Sequence, residues 1–333
     1  MILNPAHMAL VAGSFLISAF AVYAAAIGAR VIRYWDLESG SEKQLFLERQ
    51  TYLVSTLLAY ALAFQLFSLF FYVYTADYNH RMFTGAMCAA GSLNANAYGY
   101  PTLILKITNF MLCGLWLVLN HMDNQAPDYP LIKTKYRRLM PLAALLVLES
   151  LLQAGYFMEL KADVITSCCG TQFSNTANSV AGGIAALPIK TTLVIFFLSL
   201  ALTLRLGLRF FLSGKSPRLY AWASAWLLPV SLAAIISVIS VYFYEQPTHH
   251  CPFCILQREY LFVGYPLYLA LFSGSLLGMG VGIIDPFKGS VSLHHIIPAL
   301  QKRLCLISLA AFAVFLLICL YPMLFSEFKL LGY

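Results

Sequence analysis

Eight long apolar runs constrain this chain more than any other feature of its sequence. Each run approaches or exceeds the ~20 residues that an α-helix needs to cross the hydrocarbon core of a bilayer. The runs are continuously apolar, whereas a membrane β-barrel requires alternating polar and apolar residues. We therefore predict an all-α, polytopic membrane helical bundle. The predicted transmembrane helices span residues 8–30, 51–75, 102–120, 139–160, 191–213, 221–243, 261–284 and 304–325.

The composition excludes two broad classes of protein. Of the 333 residues, 60% are hydrophobic and 11% are charged, and the mean hydropathy is +0.76. An average soluble protein has about 25% charged residues, so this chain has too few to cover the surface of a soluble enzyme. A disordered protein requires low hydrophobicity and high charge, which is the opposite composition.

The basic residues predict the orientation in the membrane. Most of the 21 Lys and Arg residues lie in or beside the loops after the first, third, fifth and seventh predicted helices. Cytoplasmic loops carry the excess of Lys and Arg, so we predict that both termini lie outside. The expected location is the plasma (inner) membrane, with the outer face in the periplasm. The net charge of +7 then reflects topology, and no nucleic-acid partner is expected.

The N-terminal apolar run is expected to be a retained helix. A cleaved signal peptide begins with basic residues, but Arg30, the first basic residue, follows the apolar run.

A shift of 165 residues suggests an internal repeat. It places Gly99-Tyr100-Pro101 on Gly264-Tyr265-Pro266 and the fourth predicted helix on the eighth. We predict two parallel four-helix halves, residues 1–160 and 191–333, joined by an outer cysteine-containing loop at 161–190. The alternative is coincidence, because apolar segments align easily.

The eight cysteines divide into two groups. Cys113, Cys305 and Cys319 lie within predicted helices, where an isolated cysteine is usually a small apolar side chain. The other five all fall in loops predicted at the outer face, which is where disulfides form and persist. These five are Cys88, Cys168, Cys169, Cys251 and Cys254.

The most specific motif is His249-His250-Cys251-Pro252-Phe253-Cys254, followed by Arg258. A Cys-x-x-Cys pair can close a small, reducible ring that exchanges with a partner thiol. A following helix N-terminus, Arg258 and the two histidines, if protonated, are features that lower a thiol pKa. A half-site for a metal and a static disulfide are the alternatives at this point.

The segment from residue 240 to residue 285 resembles the DsbB family of membrane disulfide oxidoreductases. The resemblance rests on a helix, an outer Cys251-x-x-Cys254-Ile255-x-x-Arg258, and a second helix. It implies that Cys251 and Cys254 form a quinone-facing disulfide, with Arg258 near the quinone. That family is a four-helix bundle with the motif between its first two helices, so the resemblance extends only to helices 6 and 7 of this chain.

The remaining outer cysteines allow several pairings. Cys168 and Cys169 are adjacent, and a disulfide between them would be strained and labile. Alternatively, one of them bonds or exchanges with Cys88 while the other exchanges with the Cys251–Cys254 pair. A static clamp on the long loop is the third alternative.

The outer sulfurs and histidines also suit a soft metal such as Cu(I) or Zn(II), although their spacing matches no standard zinc module. The metal set in that alternative is Cys251, Cys254, His249 and His250.

Two charged residues, Lys106 and Glu149, lie well inside predicted spans and away from the cytoplasmic helix ends. Glu149 is near the middle of the fourth helix, and Lys106 lies below the outer end of the third. Intramembrane ionisable groups are functional candidates, so we consider a proton or ion path through this pair, with a structural ion pair as the alternative.

Haem and nucleotide are not expected as cofactors. No histidine lies in mid-membrane, and the chain has neither a Cys-x-x-Cys-His motif nor a phosphate-binding Gly-x-x-x-x-Gly-Lys loop.

Together these patterns predict a membrane thiol–disulfide oxidoreductase at the outer face. It would exchange electrons between a soluble dithiol partner, such as a periplasmic thioredoxin-like protein, and a membrane quinone. Cys251 and Cys254 would be the redox pair, and Cys88, Cys168 and Cys169 the shuttle. Arg258, His249 and His250 would contact the quinone. The alternatives are a soft-metal transporter or delivery protein, and an assembly factor that joins other membrane subunits and has structural disulfides.

Overall fold

The computed structural model describes residues 4–36, 39–161, 164–166, 173, 180–328 and 330. These residues are mainly helical and include no β-strand. Eight helical segments among them are long and apolar enough to cross a membrane. The predicted all-α membrane bundle is therefore confirmed, and the chain is an integral membrane protein.

The described helices, numbered along the chain, have the following bounds. They are α1 (Pro5–Tyr34), α2 (Glu42–Asn79), α3 (Ala89–Leu93), α4 (Gly99–Asp123), α5 (Ile132–Met158), α6 (Val180–Ala185), α7 (Ile189–Ser213), α8 (Pro217–Ala234), α9 (Ser240–Tyr244), α10 (Gly264–Ile283) and α11 (Ile296–Phe325). A π-helical turn, Ile235–Ile239, joins α8 to α9 without a break, so Pro217–Tyr244 forms one candidate span.

The helices agree with the predicted spans but several extend beyond them. Helix α2 begins at Glu42 and α11 at Ile296, each about two turns before the predicted apolar run. These extra turns carry charged residues such as Arg49 and Lys302, which a hydropathy pattern assigns to loops. The backbone hydrogen bonds of an α-helix do not require apolar side chains, so α2 and α11 extend beyond the apolar runs into charged sequence.

Large apolar side chains are exposed along the spans. Leu16, Phe67, Trp222 and Leu324 are each at least 70% exposed. A soluble protein seldom leaves so many such groups in water, whereas lipid chains solvate them. These faces accord with a lipid bilayer as the partner of the helices.

The chain divides into two compact units. Unit 1 comprises Met1–Thr75, Asn96–Lys161 and Pro286–Leu300, and unit 2 comprises Ala76–Ala95, Ala162–Asp285 and Gln301–Tyr333. The predicted repeat, the halves 1–160 and 191–333 and the loop 161–190 stay predictions. The same holds for the inner membrane and the outward orientation of the termini.

Unit 1 is built on α5, which packs against both α1 and α4. Its buried core includes Ala24 of α1, Leu58 of α2, Trp116 of α4 and Tyr136 of α5. Each helix therefore contributes one apolar stripe to a common interior, and the opposite stripes face outward.

Unit 2 is centred on α8, which packs against α7 and α10. Helices α8 and α10 approach closely at Gly278, where an added Cβ would lie 2.6 Å from the Ser224 Cβ. Any larger residue at Gly278 would force the two helices apart. Helix α11 joins this packing through Ser308, whose hydroxyl donates to the Gly274 carbonyl at 2.6 Å and accepts from Tyr220 at 2.7 Å.

Candidate functional site

Three cysteines of unit 2 form a buried cluster of sulfur atoms. The Sγ atoms of Cys88, Cys251 and Cys254 all lie within 4.8 Å of one another. The Sγ atoms of Cys88 and Cys251 are 3.5 Å apart, which is van der Waals contact and not the ~2.05 Å of a disulfide bond. Cys88 and Cys251 are fully buried, and Cys254 is 6% exposed. Residues 163 positions apart in sequence are thus placed at the distance that thiol–disulfide exchange requires. We call these three residues the sulfur cluster.

Hydrogen bonds to Asp77, near the end of α2, hold the segment that carries Cys88. Cys88 is the extended residue just before α3, and the next amide, Ala89 N, donates to Asp77 Oδ1 at 3.1 Å. The Gln257 side-chain amide donates to the same Asp77 oxygen at 3.2 Å and to the Met87 carbonyl at 2.8 Å. Gln257 therefore connects the Cys88 segment to the segment that carries Cys251 and Cys254.

Two tyrosines hold the loop from Cys251 to Cys254. The Tyr244 hydroxyl donates to the Cys251 carbonyl at 2.5 Å and accepts from Ile255 N at 3.0 Å. The Tyr268 hydroxyl donates to the Pro252 carbonyl at 2.7 Å. These bonds satisfy backbone groups that a tight, buried loop would otherwise leave unpaired.

The start of α10 packs directly under the same loop. Cys254–Leu256 forms a 3-10 turn, and an added Cβ at Gly264 would lie 2.8 Å from Leu256 Cδ2 and 3.0 Å from the Ile255 carbonyl carbon. Only glycine permits this close approach at the first residue of the helix.

The two histidines before Cys251 have different surroundings. His249 Nε2 lies 3.4 Å from Cys254 Sγ, and its ring packs edge-on against Tyr244. The His249 ring can therefore exchange a proton with the Cys254 thiol. His250 is 4% exposed, and its Nδ1 lies 3.3 and 3.1 Å from the carbonyls of Ile236 and Ser237 in the π-helical turn.

Burial favours the neutral form of His250. Both contacts of its Nδ1 are carbonyl oxygens, so Nδ1 carries the ring proton. Burial lowers the pKa of His250, because the charged ring would lose its hydration. His250 thus fastens the loop to the π-helical turn instead of presenting a charge.

The other residues predicted for this site fall into two groups. Arg258 is exposed, at the start of the 3-10 turn Arg258–Tyr260, and its guanidinium is accessible from outside the protein. Cys168 and Cys169 lie outside the described residues, so their predicted shuttle role stays a prediction.

Lys106 and Glu149 of unit 1 form an ion pair, which is the second predicted group. Lys106 Nζ lies 2.7 Å from Glu149 Oε1, and both side chains are 1% exposed. Lys106 also donates to Ser68 Oγ at 2.7 Å. The Gln65 amide donates to both carboxylate oxygens at 2.8 and 2.7 Å, and Asn109 donates to Oε2 at 2.6 Å. The predicted proton or ion path through this pair stays a prediction.

Sequence reasoning missed Asp77, Tyr244, Tyr268 and Gln257. A usable signal existed for two of them. Asp77 is an acidic residue close to the end of an apolar run, and Tyr244 ends the run before the cysteine motif. Gln257 and Tyr268 carry no such signal, because their roles depend on backbone carbonyls of the loop.

Comparison with protein-family models, with curated proteins and with solved structures finds no match for this chain. The chemistry of the site therefore rests on its own residues. Three close sulfurs, a histidine beside one of them and a loop held by tyrosines suit two reactions: transfer of a disulfide between sulfur pairs, and capture of a soft metal ion.

Proposed function

We propose that this protein is a membrane thiol–disulfide oxidoreductase that exchanges electrons between a soluble dithiol partner and a membrane quinone. The observation that carries the proposal is the sulfur cluster, in which Cys88, Cys251 and Cys254 all lie within 4.8 Å of one another. A static disulfide needs two cysteines, whereas a third sulfur at contact distance allows the bond to move.

The exchange step conserves electrons. With Cys251 bonded to Cys254, the Cys88 thiolate attacks Cys251 Sγ, across the present separation of 3.5 Å. The Cys88–Cys251 bond forms, the Cys251–Cys254 bond breaks, and Cys254 leaves as a thiolate. His249, 3.4 Å from that sulfur, supplies a proton to it or removes one in the reverse direction.

Net oxidation of a dithiol needs an acceptor for two electrons and two protons, and a quinone supplies that chemistry. Arg258 is exposed and follows the Cys251–Cys254 pair by one 3-10 turn, so its guanidinium can donate to a carbonyl oxygen at the membrane surface. The soluble partner would exchange with the cluster through Cys168 and Cys169, as the sequence predicts.

A gel-shift assay with a maleimide-linked polymer on acid-trapped membranes tests the proposal. We expect the wild-type protein to cycle between free and blocked thiols when mild reductant and then quinone are added. Cys88→Ser, Cys251→Ser and Cys254→Ser should each stop the cycle, whereas the matched control Cys319→Ser should retain it, because Cys319 is a buried cysteine of α11. Full cycling in Cys251→Ser would refute the proposal.

A soft-metal site is the second candidate, and the same three sulfurs favour it. Three thiolates at this separation suit trigonal Cu(I), which prefers sulfur ligands. This candidate predicts one metal ion per chain after purification, loss of that ion in Cys251→Ser, and no quinone-dependent change in thiol state.

A further inference from the structure

A cavity in unit 1 is lined by none of the site residues described above. It has a volume of about 300 Å³, and Trp35, Arg49, Thr51, Tyr129 and Lys135 are among the residues that line it. The volume is at the lower end of the range for small-molecule sites. The lining combines two cations with aromatic walls and one carboxylate, Glu48, whose Oε1 accepts a hydrogen bond from Gln44 at 2.9 Å.

The cavity lies at the level where the apolar runs meet charged sequence. Its lining residues on α2 run from Glu48 to Thr56, across the point where the predicted apolar run begins. Lys135 of α5 precedes the predicted apolar run of that helix, and Trp35 follows the end of α1. Tryptophan and tyrosine collect at this depth, where lipid headgroups meet the hydrocarbon core.

Lys135 has a hydrogen-bonding position left over. It is 1% exposed, and its Nζ lies 2.8 Å from Asp123 Oδ2 and donates to Asn120 Oδ1 at 3.0 Å. An ammonium group has three N–H bonds, and the described residues give Lys135 no third oxygen partner; its Nζ lies 5.9 Å from the ring centres of Tyr129 and Tyr136. Since Lys135 lines the cavity, a ligand there can supply the missing acceptor.

Two further features of the cavity wall point to a polar ligand. Thr51 is 4% exposed, and its hydroxyl lies beside that of Tyr136 but forms no hydrogen bond of normal geometry with the described residues. Tyr129 has a φ of 45°, in the left-handed region that a bulky residue seldom occupies. Such strain persists only where the surroundings impose it, and it is common at ligand sites.

We propose that this cavity binds a phosphate group, and that its source is the headgroup of an anionic membrane phospholipid. Lys135 and Thr51 would bind phosphate oxygens at the inner wall, and Arg49, which is exposed, would contact them at the mouth. Trp35 and Tyr129 would pack against the glycerol backbone. Basic pockets between transmembrane helices bind anionic headgroups in this way.

Lipid titration of the purified full-length protein in detergent tests the proposal. We expect dioleoylphosphatidylglycerol to raise Tm and dioleoylglycerol, which lacks phosphate, to leave it unchanged. Arg49→Gln, at an exposed position, should weaken lipid binding by about fivefold, which is the value of one surface cation near an anionic lipid. Thr51→Val and Lys135→Met should also weaken it, whereas Lys133→Gln, an exposed neighbour outside the lining, should change it less than twofold.

Lys135→Met removes the counter-ion of the buried Asp123 and can therefore disturb folding. Arg49→Gln changes an exposed residue, so it tests lipid binding without that complication. Competition with inorganic phosphate separates the two sources of the group. If inorganic phosphate binds and phosphatidylglycerol does not, the lipid source is wrong. If phosphatidylglycerol binds equally to wild type and to the Arg49→Gln and Thr51→Val variants, the site itself is refuted.

Discussion

The protein buries polar side chains in two clusters, one in each unit, and the two clusters differ in how their polar atoms are paired. In unit 1, Glu149 accepts hydrogen bonds from Lys106, Gln65 and Asn109, so a full charge is held by several fixed donors. In unit 2, the sulfur cluster brings three soft, weakly polar atoms within 4.8 Å of one another, and those of Cys88 and Cys251 are 3.5 Å apart. Replacing any residue of the first cluster should lower the stability of the protein, because it leaves a buried charge or donor without its partner. The second carries no fixed charge, and its short sulfur–sulfur separations are those that the proposed disulfide exchange would use.

The largest effect is expected from breaking the unit 1 cluster. Glu149→Ala leaves the Lys106 cation buried without its counter-ion, and it should lower the free energy of unfolding by about 3–5 kcal/mol. Reversible unfolding in mixed micelles measures this change. The double variant Lys106→Met/Glu149→Leu, which removes both charges, should recover most of the loss. A double variant as unstable as the single one would mean that the fixed donors, and not the charge pair, dominate this cluster.

The next largest effect concerns the loop that supports the sulfurs. Tyr244→Phe removes the hydroxyl that bonds Cys251 O and Ile255 N, and it should cost about 1–3 kcal/mol because both backbone groups are buried. Tyr74→Phe, at a half-exposed position of α2, is the matched control and should change stability by less than about 0.5 kcal/mol. Equal costs for the two variants would contradict the supporting role of Tyr244.

A smaller effect is expected from pH. The pKa of His250 is lowered in the folded state, so at mildly acidic pH the unfolded chain binds more protons than the folded chain. The His250 contribution is therefore full above pH 6.5, its ordinary pKa, and falls as pH is lowered from there. The slope is at most about 1.4 kcal/mol per pH unit. His250→Gln should flatten this part of a stability-against-pH curve, and an unchanged slope would show that other groups cause it.

The smallest effect on stability is expected within the sulfur cluster itself. It gives the clearest difference from the ion-pair cluster of unit 1. Cys254→Ala removes one buried sulfur and should cost about 1 kcal/mol, as a small cavity does. The same variant should abolish thiol exchange, measured by mixed-disulfide trapping with a small dithiol. Cys319→Ala should have a similar stability cost with exchange intact. A cost near that of Glu149→Ala would make the cluster a structural brace.

The spans were predictable because the bilayer sets both their length and their composition. The start of α2 at Glu42 was not, since hydropathy detects only the part of a helix that contacts lipid. Within the site, the sequence predicts that Cys88 and Cys251 lie on the same side of the membrane. This prediction comes from the number of spans between their loops and from the distribution of Lys and Arg. The sequence does not predict their contact, because that depends on how Gln257 and Asp77 join two loops that are distant in sequence.

The sequence alone allows Lys106 either to pair with Glu149 or to extend toward the membrane surface. A single sequence cannot choose between them. The choice depends on Gln65 and Asn109, which complete the coordination of the carboxylate from two other helix positions. The cavity beside Lys135 was not predictable from the sequence, because its lining residues come from separate segments and form no motif.

The π-helical turn at Ile235–Ile239 has a consequence for how this chain can vary. Such a turn holds one residue more than the α-helix around it, as a single-residue insertion would leave it. Deleting one residue there would restore α-helical winding, and the helix beyond it would stay nearly in phase, because the wide turn absorbs that residue. The carbonyls of Ile236 and Ser237, which His250 Nδ1 contacts, would then return to regular helical pairing. The loop before Cys251 would lose this anchor although every residue of the cysteine motif was still present.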